Sequence, residues 1–312
     1  MAVPRNMSAM AGKLDQLLQD FNTHEHALLG IQNAQRREAF VLQLVSSLRR
    51  ILFVTTLGDR PISSDRAAPT TDLFDPLKAA VLHRNGGRLD EAIWLVFLAT
   101  HFGKHAVDGW RLMRDIYGAF GHQAPWTWET ITSDPTKFRT WANENLYVLL
   151  SDGVSRRFSN HRKYESKSAD AISDTLISYV HLVRGYGDHR GLIVGTHQAV
   201  GQNPTEAFDF LYSSMKNVNR FGRLGSFDFL TMVGKLELMP ITPGKAYLNG
   251  ATGPLRGARL LVDDNPTSAT SAEQLEGILA LLDNKLKVGK QVLEDSMCNW
   301  QKSPDNYLYF RG

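Results

Sequence analysis

The chain has 312 residues and a mass of 34.9 kDa, which is enough for one large domain or two, and its 43% hydrophobic and 21% charged residues are typical of a globular protein. This composition excludes disordered, collagen-like and coiled-coil chains. The single cysteine, Cys298, excludes an internal disulfide and any zinc site that needs two thiolates, and it favours a reducing cytoplasm. We find no secretory signal and no apolar run of about 18 residues, so we expect no membrane association.

The net charge of +3 is distributed unevenly along the chain. Residues 151–167 contain five basic and two acidic side chains, residues 216–259 contain seven and two, and residues 260–283 contain five acidic side chains without lysine or arginine. Clustered arginine and lysine suit polyanions such as phosphates and nucleic-acid backbones. A solvated basic surface is the alternative.

Hydrophobic side chains recur at helical spacing through most of the chain, whereas clean alternation is nearly absent. This spacing predicts a helical pair at 14–21 and 40–52, a loose connection over 55–76, and a buried central helix at 89–102. Further helices are predicted at 109–120, 138–150, 172–183, 205–215, 227–238 and 272–300, the last with Gly289 as a break and a capping box formed by Ser271 and Gln274.

The fold class that follows is all-α. We expect an N-terminal helical pair and linker at 1–75, a helical catalytic domain at 76–300, and a C-terminal tail at 301–312. No internal repeat and no low-complexity segment interrupts this organisation.

The segment 151–170 does not follow the helical pattern and is long for an unstructured connection. It contains two adjacent cations, an imidazole, a phenol and a carboxylate in succession, a combination that can bind an anion and move a proton. A flexible basic surface loop is the alternative. The five residues are His161, Arg162, Lys163, Tyr164 and Glu165.

A second interruption, LNGATGPLRGARLL at 248–261, is rich in glycine. Gly250 and Gly253 allow close approach of the backbone to another molecule, and N–H groups at the start of the following helix can receive a phosphate. Arg256 and Arg259 are three residues apart and therefore lie on one side of that helix. A plain turn between helices with two solvated arginines is the alternative.

The HFGKH run has histidines at the spacing of a shared metal, but Gly103 weakens the helix and no other histidine or cysteine is near in sequence. We therefore predict no metal ligands here. His101 and Lys104 are assigned to the lining of a pocket, with a core or surface role as the alternative, and Tyr164 of the segment 151–170 is assigned to the same pocket.

Arg220 and Arg223 alternate with phenylalanines just before a predicted helix. Such a mixture can stack on bases and hold phosphates. Phe227 and Phe229, which follow, are predicted core residues. Together with Lys245, the two arginines are predicted to contact a DNA backbone.

Four separated segments carry a family resemblance: HFGKHAVDGWRLMRDIYGAFG, FSNHRKYESK, FDFLTMVGKLEL and AYLNGATGPLRGARLL. They resemble the clade 3 alpha-glutamyl/putrescinyl thymine pyrophosphorylases of bacteriophages, also described as amino acid:DNA transferases. The similarity extends from about Leu89 to Trp300, which is most of the chain.

The resemblance implies a fold related to helix-hairpin-helix DNA glycosylases. The LNGATGPLRGARLL segment is similar to the glycosylase hairpin, although Asn249 replaces its proline and Gly253 falls one residue late. Glycosylases also place an aspartate after the hairpin. Asp263 and Asp264 follow here, at a shorter distance than the family pattern implies.

The implied reaction replaces the pyrophosphate of 5-(pyrophosphoryloxymethyl)uracil in double-stranded DNA with the amine of an amino acid or polyamine, in the host cytoplasm if the chain is phage-encoded. The target base would have to be flipped out of the duplex. Developing charge on pyrophosphate needs cations, and the incoming amine must lose a proton to a carboxylate or imidazole. Arg162, Lys163, Arg256 and Arg259 are the candidate cations, and Glu165 or His161 is the candidate base, with Asp228 in reserve.

Three matters stay open in the sequence: the identity of the amine donor, the oligomeric state, and whether Mg²⁺ assists the pyrophosphate. No other cofactor is predicted. A DNA glycosylase acting on a modified base is the rival enzyme, and a non-catalytic DNA-binding module is the rival from another class.

Overall fold

In a computed structural model of the chain, residues 5–309 are described, and these contain α-helices and short 3₁₀ turns but no β-strand. The predicted all-α class is therefore confirmed. Within this range no helix combines the length and the apolar character needed to cross a bilayer. The helices in chain order are α1 (Arg5–His24), α2 (Ala34–Thr55), α3 (Pro76–Asn85), α4 (Leu89–Phe102), α5 (Arg111–Tyr117), α6 (Trp128–Ser133), α7 (Pro135–Asn145), α8 (Val148–Ser151), α9 (Ala169–Arg184), α10 (His189–Val200), α11 (Pro204–Ser214), α12 (Arg223–Lys235), α13 (Gly253–Asp263), α14 (Ala272–Leu286) and α15 (Lys290–Trp300).

The strongest periodic segments match their predicted helices. The central helix 89–102 is α4 with the same bounds, and it is buried along nearly its whole length. The predicted stretch 272–300 is divided into α14, whose C-cap residue Lys287 has a left-handed conformation, and α15, which begins directly after Gly289 with its φ of +90°. The predicted capping box between Ser271 and Gln274 is present at the start of α14.

Three of the helices, α3, α6 and α10, lack a sequence prediction. α10 buries Leu192 together with the polar His189 and Thr196, so its hydrophobic period is weak. α3 is instead marked by its cap, since the Asp75 carboxylate accepts hydrogen bonds from the first backbone N–H groups of the helix. The prediction for 109–120 shortens to α5, which ends at Gly118.

The described chain forms two compact units, one combining the helices up to Val54 with the chain from Pro243 onwards, the other spanning Thr55–Thr242. We call them the terminal unit and the central unit. Their bounds differ from the predicted segments 1–75, 76–300 and 301–312, because the last three helices pack with the N-terminal pair. The segment division stays a prediction, and residues 1–4 and 310–312 lie outside the described range.

The terminal unit packs α1, α2, α13, α14 and α15 around an apolar core. Phe40 and Trp300 are fully buried there, and their ring centroids are 5.2 Å apart. α13 approaches α15 closely at Gly257, where an added Cβ would lie 2.3 Å from the Met297 carbonyl oxygen. Glycine is therefore required sterically at this contact.

The central unit is built around α4. Phe97 of this helix stacks on Tyr179 of α9 with 3.8 Å between ring centroids. The Tyr179 hydroxyl lies 2.9 Å from Nε2 of the fully buried His189, and the Nδ1 of His189 lies 2.6 Å from Asp90. This buried chain of polar contacts joins α4, α9 and α10 and fixes the frame on which the loop 151–170 rests.

Candidate functional site

The predicted non-helical segment is confirmed, since between α8 and α9 the chain is irregular apart from a 3₁₀ turn at Asn160–Arg162. It lies against the C-terminal end of α4, where the Ser159 N–H donates to the Phe102 carbonyl oxygen over 3.1 Å. Gly103 has a φ of +67°, and a Cβ there would lie 2.1 Å from the Ser159 hydroxyl oxygen. The glycine that ends α4 thus makes room for the loop.

Arg162 ties this loop to two helices. Its Nε donates to the Thr100 carbonyl oxygen over 3.0 Å, and its Nη2 lies 3.3 Å from Asp228 Oδ2 on α12. The side chain is only 10% exposed, and its guanidinium lies 5.9 Å from the ring centre of Phe221. A guanidinium has five N–H groups, and those that these two contacts do not use have no described partner.

Two carboxylates lie beside this guanidinium. Burial by the surrounding protein raises the pKa of Asp228 above its usual value. The positive charge of Arg162, and to a smaller extent that of His161, opposes this shift. The Asp228 side chain keeps 41% of its surface exposed. The Asp228 carboxyl is thus surrounded by protein and still reached by solvent. Burial likewise raises the pKa of Glu165, which Arg162 and Arg220 oppose. We call His161, Arg162, Glu165, Arg220 and Asp228 the Arg162 cluster.

The turn before α12 supplies the outer cations. Arg220 adopts a φ of +56°, a left-handed conformation that costs about 1 kcal/mol or more outside glycine. The N–H of Asn219 donates to the Ser178 hydroxyl over 2.9 Å and holds the turn in place. Arg223 begins α12, and its guanidinium lies 5.3 Å from the ring centre of Phe227. Phe227 and Phe229 are buried, as predicted.

His101 lies inside the central unit, 3% exposed, and its Nε2 has no described hydrogen-bond partner. Its ring centroid is 4.7 Å from that of Phe102 and 5.8 Å from that of Phe158. Burial, and to a lesser extent Arg162, lowers the pKa of His101 to about 3. The imidazole is therefore neutral at physiological pH.

The other predicted residues of this region lie at the surface. Tyr164 keeps 89% of its side chain exposed, so in this structure it projects outward instead of lining an enclosed cavity. The Nζ of Lys163 lies 5.0 Å from the Tyr164 ring centre. Lys104 lines a different cavity, together with Trp110.

The glycine-rich segment belongs to the terminal unit and departs from a simple helix-hairpin-helix. No helix directly precedes it, since residues 236–252 between α12 and α13 are non-helical. The Glu276 carboxylate instead accepts the N–H groups of Ala246 and Leu248 over 2.9 and 2.8 Å. Gly250 has a φ of +74°, and Gly253 permits close contact with α15, since an added Cβ would lie 2.7 Å from the Cys298 sulfur.

The predicted cations of the terminal unit differ in how far they are engaged. Arg256 is exposed, and its side chain has no described partner. Arg259 donates from Nε to the Thr270 carbonyl oxygen over 3.1 Å, and Lys245 is exposed. The structure brings together the Arg162 cluster within the central unit, whereas these three cations belong to the terminal unit.

The two aspartates after the glycine-rich segment have partners within the protein. Asp263 accepts a hydrogen bond from the Ser268 hydroxyl, and Asp264 pairs with Arg36. Among the described residues, no group of three or more His, Cys, Asp or Glu side chains is arranged to hold a metal ion.

Two carboxylates that accept hydrogen bonds from these segments, Asp108 and Glu276, were not predicted from the sequence. Asp108 is 3% exposed and accepts a bidentate pair from Arg157, at 2.8 and 2.9 Å, as well as the Ser155 hydroxyl. The groups that donate these hydrogen bonds to Asp108 and Glu276 are 28 to 49 residues distant along the chain, so no local sequence motif indicates the contacts.

Comparison with protein families gives a match over residues 35–312 to the family described as alpha-glutamyl/putrescinyl thymine pyrophosphorylase clade 3. Neither the curated proteins nor the solved structures give a match. The matched span includes the Arg162 cluster and the α13 segment, and the family's name specifies a pyrophosphorylase and thymine. With all but the first 34 residues matched, this chain belongs to clade 3 of the alpha-glutamyl/putrescinyl thymine pyrophosphorylases.

Proposed function

We propose that this protein replaces the pyrophosphate of 5-(pyrophosphoryloxymethyl)uracil in DNA with the amine of an amino acid or polyamine. Family membership supports chemistry on a modified thymine. The observation that carries the proposal is the Arg162 cluster, in which two carboxylates of raised pKa lie beside a guanidinium with uncommitted N–H groups. Such a site can accept a proton and stabilise a leaving anion at one place.

In the proposed step, the lone pair of a neutral amine attacks the methylene carbon attached to the base. A C–N bond forms, the C–O bond breaks, and pyrophosphate leaves with the bonding electron pair. The uncommitted N–H groups of Arg162, together with Lys163 and Arg220, stabilise that charge as it develops. One well-placed donor of this kind contributes about 10²–10³ in rate.

Glu165 is the better-placed proton acceptor of the two carboxylates. Asp228 is paired with Arg162, whereas the Glu165 side chain has no described hydrogen bond. Desolvation raises the pKa of Glu165 and so increases its basicity. Asp228 holds the guanidinium of Arg162 in position, and His161 of the same loop is the alternative acceptor.

DNA binding is assigned to the exposed basic residues. The target base is flipped out of the duplex, while Arg220, Arg223, Lys245 and Arg256 contact the phosphates. Tyr164, exposed beside Lys163, offers a ring on which a neighbouring base can stack. The relation to helix-hairpin-helix glycosylases is part of this proposal and supplies the precedent for base flipping.

The decisive experiment incubates the protein with duplex DNA containing 5-(pyrophosphoryloxymethyl)uracil and a set of amines, then measures released pyrophosphate and analyses the nucleosides by mass. We expect an intact strand, an amine-substituted nucleoside and one pyrophosphate per nucleoside formed. Abasic sites with free base would identify a glycosylase instead. Unchanged nucleosides in DNA that the protein binds would identify a non-catalytic module.

A further inference from the structure

The central unit contains a cavity of about 250 Å³ whose lining includes no member of the Arg162 cluster. This volume is below the roughly 300–1,000 Å³ of sites for drug-sized ligands and suits a smaller molecule. Much of the wall comes from the HFGKHAVDGWRLMRD stretch. The charged and aromatic side chains of this wall include Arg66, Asp75, Lys104, Trp110 and Arg111.

Several charged groups of the wall are already neutralised within the protein. The Asp108 carboxylate is occupied by the guanidinium of Arg157, which holds the pKa of Asp108 well below its usual value. Arg114 pairs with Asp72 and Asp115. These groups therefore add little net charge to the cavity.

The remaining cations have donors to spare. Lys104 forms no described ion pair, and its Nζ lies 5.9 Å from the Trp110 ring centre. Arg111 uses Nη1 for the Ser155 carbonyl oxygen at 3.2 Å, and Arg66 uses Nη1 for the carbonyl of Leu73 at 2.9 Å. The rest of each guanidinium has no described partner.

Trp110 contributes its ring to the same wall, beside the Nζ of Lys104. Its indole Nε1 is enclosed by protein and has no hydrogen-bond partner among the described residues, so this N–H is not one of the groups that the cavity offers to a bound molecule.

One acceptor complements these donors. Asp75 caps α3 with Oδ1 alone, which receives the N–H groups of Leu77 and Lys78, each over 3.2 Å. Its Oδ2 has no described partner. The cavity thus presents three cations with donors to spare and one carboxylate oxygen without a described partner.

From this arrangement we propose that the cavity is the binding site for the amine donor and that the donor is an α-amino acid. The three cations bind its carboxylate, and Asp75 binds its ammonium group. A polyamine brings positive charge without a carboxylate and would be repelled by the three cations. Inorganic pyrophosphate carries only negative charge and would be repelled by the Asp75 carboxylate. The role as donor site rests on the proposed function, whereas the binding chemistry rests on the cavity alone.

The test is isothermal titration calorimetry of the full-length protein without DNA, using L-glutamate, putrescine and inorganic pyrophosphate as separate probes. We expect L-glutamate to bind and putrescine not to bind. Lys104→Met, which keeps the aliphatic stem, should weaken L-glutamate binding about 10-fold or more. Lys216→Met, an exposed lysine outside the cavity, is the matched control and should bind as wild type does.

Binding of putrescine in preference to L-glutamate, tighter binding of pyrophosphate, or equal L-glutamate affinity in wild type and Lys104→Met would each overturn the inference. These outcomes are separable from the proposed function, because the latter is tested by pyrophosphate release from modified DNA. A protein that transfers an amine but binds no amino acid in this cavity retains its function and loses this site. A protein whose Lys104-dependent L-glutamate binding is not followed by transfer retains the site but loses its assignment as a donor site.

Discussion

Neighbouring residues of the loop 151–170 have unequal tasks. Arg162 is 10% exposed and held by two helices, whereas Lys163, the next residue, is exposed and lies over Tyr164. Both cations were predicted to bind pyrophosphate, because composition alone cannot distinguish them. They differ in the structure because Arg162 contacts both the end of α4, at the Thr100 carbonyl oxygen, and Asp228 of α12.

Replacement of Glu165 tests the proposed base. Because burial raises the pKa of Glu165 above its ordinary 4.5, the wild-type rate should fall as the pH drops through a value higher than that, where the carboxylate takes up a proton. Glu165→Gln should lower the rate of amine transfer about 10²–10⁴-fold and abolish this acid limb, leaving only the decline that protonation of the amine itself causes. The measurement is pyrophosphate release from modified DNA between pH 4.5 and 9.

The control is Glu144→Gln, an exposed carboxylate of the central unit without a described partner, which should keep the wild-type rate and profile. The limb at high pH that reports the amine itself should persist in both variants. Retention of the acid limb in Glu165→Gln would transfer the role of base to another group. His101 is not a candidate for that limb, because its pKa is lowered to about 3.

Asp108→Asn should destabilise the protein by about 1–3 kcal/mol at neutral pH, since it removes the bidentate pair with Arg157 from a buried acceptor. The pKa of Asp108 is depressed in the folded state, so the folded protein binds fewer protons than the unfolded chain. This stabilisation is complete above the ordinary value of 3.8 and is lost as the pH falls towards the depressed one. Urea unfolding at pH 7 and at pH 3 checks both statements.

Asp72→Asn provides the contrast, because Asp72 is 94% exposed although it also pairs with an arginine. Exposed ion pairs contribute about 0–1 kcal/mol. Equal losses in the two variants, or a loss in Asp108→Asn that does not shrink at pH 3, would contradict the assignment of Asp108.

At the scale of elements, the glycines of α13 are explained by helix packing. Gly253 and Gly257 both face α15, where a side chain at either position would collide with Cys298 or Met297. Gly253 was predicted to be part of a hairpin that binds phosphate. The structure shows a steric reason for glycine at this position that needs no ligand. The Glu276 carboxylate of α14 holds the chain just before this glycine-rich segment.

Two glycine-to-alanine variants separate packing from helix propensity. Alanine is favoured over glycine by about 1 kcal/mol within a helix. Gly257→Ala should nevertheless destabilise the protein by about 1–3 kcal/mol, since its Cβ would lie 2.3 Å from the Met297 carbonyl oxygen. Gly277→Ala in α14 has no atom within 4 Å of its Cβ and should stabilise by up to about 1 kcal/mol.

Both variants are measured by thermal and urea unfolding of the full chain. Opposite signs are the expected result. A stabilised Gly257→Ala would show that α13 and α15 separate easily, which would be incompatible with the buried core at Ala258 and Met297.

Across the whole molecule, the sequence predicted those features that depend on residues close together in the chain. The all-α class, the bounds of α4 and the capping box of α14 follow from periodicity and from short-range hydrogen bonds. The packing of the C-terminal helices with the N-terminal pair joins residues more than 200 apart, which periodicity cannot reveal. A pocket lined by Lys104 was predicted, but the rest of its wall was not, since Arg66 and Asp75 come from a connection assigned no role.

DNA binding tests each unit by itself. Arg256 belongs to the terminal unit and Arg220 to the central unit, and both are exposed cations without a described ion pair. Each phosphate contact adds about 0.9 to the slope of log Kd against log salt concentration, because binding releases a condensed counterion. Arg256→Gln and Arg220→Gln should therefore each weaken binding and lower that slope by about one.

Fluorescence anisotropy with a labelled duplex at several salt concentrations gives these slopes, and Lys137→Gln, an exposed lysine of α7, serves as the control for charge alone. An unchanged slope in Arg256→Gln with a reduced slope in Arg220→Gln would support phosphate binding by the central unit and remove Arg256 from the proposed interface. The reverse result would remove Arg220 and restrict its part to the charge beside Glu165, where loss of the guanidinium should shift the acid limb of the transfer reaction to higher pH.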